Sequence, residues 1–225
     1  MPRNDEINAS INVWFVDAAI DTEPLEQLLI PDERTRARRY RFEADRRRSI
    51  VARAALRRLL GDALGIAPRD VPIVVGDNDK PRLDGGALHF NATHSGDLVA
   101  IAIAATEVGV DAEQLRPMSD AVAIAERFFS PAEVERVKGA CNVDAEFFTI
   151  WTMKEAVVKG IGSGIMSSLQ SFTTPAGVTT LAPVECGNAT FSGWYTMPLG
   201  APEGYRAAVA TKSANALVSV REFRF

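Results

Sequence analysis

The chain is short of the residues that mark several function classes. It has two cysteines in 225 residues, Cys141 and Cys186. They lie far apart and fit no metal or redox spacing, so they read as buried or idle thiols of a reducing compartment. Long apolar runs are missing too. The longest clean one, Leu98 to Ala105, is far too short to span a bilayer. The start, Met1-Pro-Arg-Asn-Asp-Glu6, is polar and has no apolar leader core. Positive charge is not in excess either. The formal net charge is −4, which argues against a nucleic-acid binder that works by bulk charge. A cytoplasmic protein is expected. Its 47% apolar and 24% charged residues suit one large globular domain or two small ones.

Patterning is what the chain does have. Ile11 to Val16 carries strand propensity, and Pro24 to Leu29 reads as a short helical turn closed by Pro31. From Arg34 to Arg58 there are eleven arginines against two acids, Glu43 and Asp45. A helix through Ile50, Ala54, Leu56, Leu59, Leu60, Ala63 and Leu64 has an apolar side, with Gly65 as its C-cap. Its other side is a basic face near +9, the eleven arginines less the two acids. Such a face is either solvated or holds phosphate, which arginine forks match in bidentate geometry. No nucleic-acid reading motif accompanies it.

Val71 to Leu83 reads as a strand followed by a polar turn at Gly76 to Asp79, then Lys80-Pro81. Asn91-Ala-Thr-His94-Ser-Gly96 reads as a donor-rich loop ahead of the Leu98 strand. Links this short favour antiparallel pairing over helical crossovers. Arg116-Pro117 divides the chain into halves 1–116 and 117–225. In the second half, Ala121 to Phe129 is helical. Ser130-Pro131-Ala132-Glu133 has the capping-box pattern of a helix start. A third helix runs from Asp144 to about Lys159 and stops at Gly160, followed by a glycine turn to Gly164. Phe172 to Phe225 is β-rich. Leu98–Ala104 and Tyr205–Ala210 resemble each other as strands, but too thinly to establish a repeat.

Val108-Gly-Val-Asp111-Ala-Glu113 is a β-branched run ending in two acids one residue apart. On a strand both carboxylates point to one face, where they repel unless a cation separates them. Hard oxygen ligands without Cys or His suit Mg²⁺; the alternative is a strand end facing water. Trp151, Glu155 and Lys159 recur at helical spacing along one face, and Glu155 with Lys159 could simply form a surface ion pair.

Together these stretches resemble the 4′-phosphopantetheinyl transferase family. Val108-Gly-Val-Asp111 and Trp151-Thr-Met-Lys-Glu-Ala-Val-Val-Lys159, with Glu155 44 residues after Asp111, match its paired signature. Lys80-Pro81, His89-Phe-Asn-Ala-Thr-His-Ser95 and Phe128-Phe-Ser-Pro-Ala-Glu133 resemble its further elements, in order, over about residues 31–164. Thr93 stands where the family usually has Ser, which keeps a hydroxyl.

The resemblance implies a monomeric α+β (α/β) pseudo-dimer of two similar half-domains, each an antiparallel sheet packed with helices, with the site in the cleft between them. It implies transfer of phosphopantetheine from coenzyme A to a serine of an apo carrier protein, releasing adenosine 3′,5′-bisphosphate. The carrier could serve fatty-acid, polyketide or nonribosomal-peptide synthesis. By position, Asp111, Glu113 and Glu155 would bind Mg²⁺. Arg36, Arg48, Ser49, Lys80, Thr93, His94, Lys154 and Lys159 would bind coenzyme A, with Arg36 and Arg48 the first choices for its 3′-phosphate. Glu155, Lys159 and His94 would form the catalytic set, with Glu155 as base and Lys159 and an imidazolium at the phosphates. Glu133 falls on a motif position whose capping role is sufficient on its own. Competing readings are a non-catalytic module binding coenzyme A or a carrier protein, and a basic-face nucleic-acid binder.

Overall fold

The computed structural model describes residues 10–76, 80–86, 88–162, 166–187 and 189–225, without the side chains of 166–168. The polar start, the turn residues 77–79 and the glycine turn at 163–164 lie outside the described residues. In chain order the first part holds strand β1 (Ser10–Asp17), helices α1 (Pro31–Ala37) and α2 (Glu43–Leu64), the small hairpin β2 (Ile73–Val75) and β3 (Pro81–Leu83), then β4 (His89–Ser95) and β5 (Leu98–Ala104). The second part holds β6 (Val108–Gln114), α3 (Ala121–Phe128), α4 (Pro131–Gly139), α5 (Val143–Ile161), short strands β7 (Phe172–Thr173), β8 (Ala182–Pro183) and β9 (Glu185–Cys186), then β10 (Tyr195–Leu199), β11 (Tyr205–Thr211) and β12 (Leu217–Phe223).

Two four-stranded sheets carry the fold, in the orders β12-β1-β5-β4 and β6-β11-β10-β8. The expected α+β architecture of two half-domains is present, and the two share one plan. In each, a first strand (β1 or β6) leads through a long helix (α2 or α5) to a hairpin. The first strand then pairs with the hairpin's second arm, giving β1-β5-β4 and β6-β11-β10. Leu98–Ala104 and Tyr205–Thr211 are thus equivalent strands of a duplication that their sequences only hint at.

The boundary between halves needs correction. Strand β6, on the N-terminal side of the division at 116, pairs with β11 in the second sheet. Strand β12, from the C-terminal side, pairs in parallel with β1. The repeat therefore changes over between β5 and β6. Arg116-Pro117 was a local turn signal, whereas sheet membership depends on pairing between distant strands.

Alternation along the strands places the core. Ile11, Val13, Phe15, Ala100 and Ala102 face Val108, Val110, Ala112 and Val209 between the sheets. Helix α2 covers the outer face of the first sheet with Ile50, Val51, Ala54 and Leu60 against Val16, Val99 and Ile101. Helix α5 covers the second with Met153, Ala156 and Val157 against Ala208 and Ala210. Full burial of each larger aliphatic side chain is worth about 1.5–3 kcal/mol. No helix of the described residues is long and apolar enough to cross a membrane.

Three local expectations change. Pro31 opens α1 as its first residue, because proline's fixed φ suits that position. Helix α5 passes Gly160 and ends at Gly162, which takes the left-handed conformation with φ 76°. Gly160 is needed instead for packing, since a Cβ there would strike the Trp194 ring. Finally, Asn91 to Ser95 form strand β4, not a loop. Their polar side chains alternate because one face of β4 meets a polar seam.

Candidate active site

Strand β4 presents two chemically distinct faces. Phe90 and Ala92 pack toward α2, and His94 lies on that side near Arg48. Asn91, Thr93 and Ser95 point the other way, toward β6. There the two sheets meet without a main-chain ladder between β4 and β6. Side chains take its place. Asn91 Oδ1 accepts from Val110 N at 2.9 Å, and Thr93 Oγ1 donates to Asp111 Oδ1 at 3.2 Å. Ser95 Oγ donates to Glu113 Oε2 at 2.7 Å and accepts from Gln114 N at 3.1 Å.

Helix α5 closes the seam from above. Gly109 allows it, because a Cβ there would collide with the main chain at Ala156 and Gly160. That close approach brings Lys159 Nζ to 2.5 Å from Asp111 Oδ1 and 2.8 Å from Thr93 Oγ1. Lys159 therefore reaches across to β6 and does not simply pair with Glu155 on its own helix. Asp111 is 2% exposed. Its second oxygen, Oδ2, and Glu155 Oε1 are buried without a partner among the described residues.

Burial pushes the Asp111 carboxyl up to about 7 despite the opposing Lys159 ammonium, with Glu113 and Glu155 adding repulsion. Burial likewise raises Glu155, with Glu113 contributing. The three acids are thus electrostatic neighbours, a grouping that the family resemblance implied. As the side chains stand, no three His, Cys, Asp or Glu residues among those described are gathered at metal-holding spacing. Lys159 is the cation that Asp111 meets. Even so, two orphaned, buried carboxylate oxygens beside a third acid are a donor set that fits a hard divalent cation.

A cavity of about 200 Å³ adjoins this cluster between α2 and β4, lined by Tyr40, Ser49, Arg53, Thr93 and His94 among others. Ser49 and His94 therefore line one cavity. Although His94 is exposed overall, partial desolvation of its ring and then the Arg48 and Lys159 cations hold its pKa below the usual value. In the free protein this biases the ring toward the neutral imidazole. Arg48 beside it is paired with Asp45 at 2.8 Å. Arg36 is exposed on α1, close enough to Arg53 to repel it, but it does not line the cavity. Lys80 lies at a neighbouring cavity and donates to Gly160 O at 2.7 Å. Burial lowers its pKa.

Lys154 does not join the site. Its ammonium is fully buried and pairs with Glu133 Oε2 at 2.7 Å. It also donates to the carbonyls of Leu169 and Phe172. Glu133 in turn accepts from Ser130 N and Thr174 N. The capping role read for Glu133 is present, and the pair ties α4 and α5 to the 169–174 segment. One helix position from Glu155 turns a side chain by about 100°, which sends Lys154 inward.

The basic face is also smaller than the residue count implied. Arg57 is buried against Glu33 at 2.6 Å. Arg46, Arg47 and Arg53 meet Glu26, Asp97 and Glu33. Those acids lie outside the counted segment and return to it through the fold. Sequence reasoning missed Arg53 and Tyr40 at the cavity and did not assign roles to Asn91 and Ser95 at the seam. The one available signal was the polar alternation at 91, 93 and 95.

The chain also matches known protein families over most of its length. A family model described as the 4′-phosphopantetheinyl transferase superfamily matches residues 107–210. One described as 4′-phosphopantetheinyl transferase, N-terminal, matches residues 21–106. Their junction falls where the repeat changes over. The chain is 34% identical over 174 residues to 4′-phosphopantetheinyl transferase HetI of Nostoc sp. (strain PCC 7120), covering 73% of each chain. It is 35% identical over 154 residues to 4′-phosphopantetheinyl transferase psf-1 of Bacillus pumilus, covering 67% of this chain and 65% of that one. With 4′-phosphopantetheinyl transferase Sfp of Bacillus subtilis it shares 28% over 165 residues, covering 71% and 73%. The chain belongs to the 4′-phosphopantetheinyl transferase superfamily.

Proposed function

We propose that this protein transfers 4′-phosphopantetheine from coenzyme A to a serine hydroxyl of an apo carrier protein. In that reaction the serine oxygen forms a bond to the pantetheine-bearing phosphorus. The diphosphate P–O bond breaks and adenosine 3′,5′-bisphosphate leaves. The observation that carries the reading is the meeting of Asp111, Glu155 and Lys159 at the seam, with two buried carboxylate oxygens unpartnered.

Asp111, Glu113 and Glu155 would hold a Mg²⁺ ion, which supplies charge neutralisation for the diphosphate. The rest falls to the chain's own groups. Lys159, already within reach of Asp111 and Thr93, stabilises negative charge on the departing phosphate. His94, Ser49 and Arg53 line the adjoining cavity and supply donors for the nucleotide end of coenzyme A. Neutral His94 donates a hydrogen bond and takes a proton when a phosphate dianion settles beside it. Glu155, whose basicity burial raises, accepts the serine proton.

The test is to incubate the protein with coenzyme A, Mg²⁺ and several apo carrier proteins, then weigh the carriers by mass spectrometry. A mass gain of one phosphopantetheine on the carrier serine is expected. No gain on any carrier, with coenzyme A still bound, leaves a binding module and overturns the transferase reading.

A further inference from the structure

The side-chain seam between β4 and β6 has a function beyond holding two sheets together. On the other face of β4 lies His94 beside the cavity that holds Ser49 and Arg53. On β6 lie Asp111 and Glu113. The register of β4 against β6 therefore sets how far the phosphate-facing groups stand from the acidic edge. With no main-chain ladder to fix that register, the fixing falls to Asn91, Thr93 and Ser95.

Of these, Ser95 is the one whose hydroxyl bonds β6 twice. It donates to Glu113 Oε2 at 2.7 Å, which aims that carboxylate, and accepts from Gln114 N at 3.1 Å, which locks the next residue's backbone. Thr93 is shared with Lys159 and Asp111, and Asn91 holds the main chain at Val110. Glu113 is only partly buried, so water would compete for it if the Ser95 hydroxyl were absent.

We propose that Ser95 is a positioning residue for divalent-metal binding, acting through Glu113 and not by touching metal or substrate. This rests on the transferase reading for its biological purpose, but its central claim concerns metal affinity. Partners that orient metal-ligating carboxylates typically change affinity by about 10- to 100-fold when removed.

The experiment measures Mg²⁺ binding by calorimetry in the absence of carrier, and separately the Mg²⁺ dependence of carrier modification. Ser95→Ala is expected to weaken Mg²⁺ binding by about tenfold or more and to raise the half-saturating Mg²⁺ by the same factor. Its rate at saturating Mg²⁺ and its KM for coenzyme A are expected to stay near wild type. Ser95→Thr, which restores the hydroxyl, is expected to recover the affinity. Wild-type Mg²⁺ affinity in Ser95→Ala overturns the proposal, as does failure of Ser95→Thr to recover it when circular dichroism shows a native fold. If the wild-type protein binds Mg²⁺ yet modifies no carrier, the transferase reading falls, while the calorimetric comparison still decides the role of Ser95. If it binds no Mg²⁺, both fall.

Discussion

Lys159 Nζ stands 2.5 Å from Asp111 Oδ1, while Asp111 Oδ2 meets no partner among the described residues. In this arrangement the lysine is the counter-ion that a divalent cation would have to displace. Lys159→Met is therefore expected to bind Mg²⁺ more tightly than wild type when coenzyme A is absent, by roughly fivefold or more. It is expected to lose transfer activity because the phosphate loses its ammonium. Calorimetry without coenzyme A and the carrier mass assay separate the two effects. Unchanged or weaker Mg²⁺ binding by the variant removes the competition.

The Asp111 carboxyl also makes stability depend on pH. Burial raises it from 3.8 to about 7, so between those values the folded state holds a proton that the unfolded chain has released. Stability of the metal-free protein is then expected to fall as pH rises from about 4 to about 7. The loss should be on the order of 2–4 kcal/mol. Urea titrations in chelator across this range test it, and Asp111→Asn is expected to flatten the profile. A wild-type profile that rises with pH across this window contradicts the assignment.

His94 gives a second pH dependence, of binding. Its pKa lies below the usual value in the free protein, and an adjacent phosphate dianion favours the imidazolium. Coenzyme A binding is expected to take up a proton near pH 7, visible in calorimetry as a buffer-dependent heat. His94→Asn is expected to abolish that uptake and to weaken binding by roughly tenfold.

Glu133 and Lys154 form an ion pair with both side chains fully buried. Removing one partner leaves an uncompensated charge, so Lys154→Met and Glu133→Gln are each expected to destabilise the fold by about 3–5 kcal/mol. Replacing both together should be milder than the sum. A thermodynamic double-mutant cycle measures the coupling. A purely additive result would mean that the two side chains are independent.

Much of the site was visible in the chain before its fold. The acid pair at 111 and 113 shares a strand face and Glu155 with Lys159 shares a helix face, both legible from local periodicity, but only the family resemblance implied that the four converge. Lys154 was misplaced because its direction is set by carbonyls at Leu169 and Phe172, which no local pattern reveals. Strand β4 was mistaken for a loop for a related reason. Polar side chains signal solvent unless their partner strand is known, and β6 lies across a seam. The free charge of the arginine run is smaller than its eleven residues imply because Glu26, Glu33 and Asp97 reach it only in three dimensions.

Gly109 carries the tightest constraint of the site. Any side chain there would press on the main chain at Ala156 and Gly160, and neither backbone can yield cheaply. Gly109→Ala is expected to lower soluble yield or stability by several kcal/mol. In whatever folds, it is expected to separate Asp111 from Lys159, with transfer lost. A stable, fully active Gly109→Ala protein contradicts the close approach.

The parallel pairing of β12 with β1 has a consequence for the order of events during synthesis. The first half's sheet stays one strand short until residues 217–223 have left the ribosome, although its other strands emerge by residue 104. Until then β1 presents an open edge to any passing chain. The nascent chain carries that unpaired edge while residues 105–216 are made, so β1 is the strand most in need of cover in that interval.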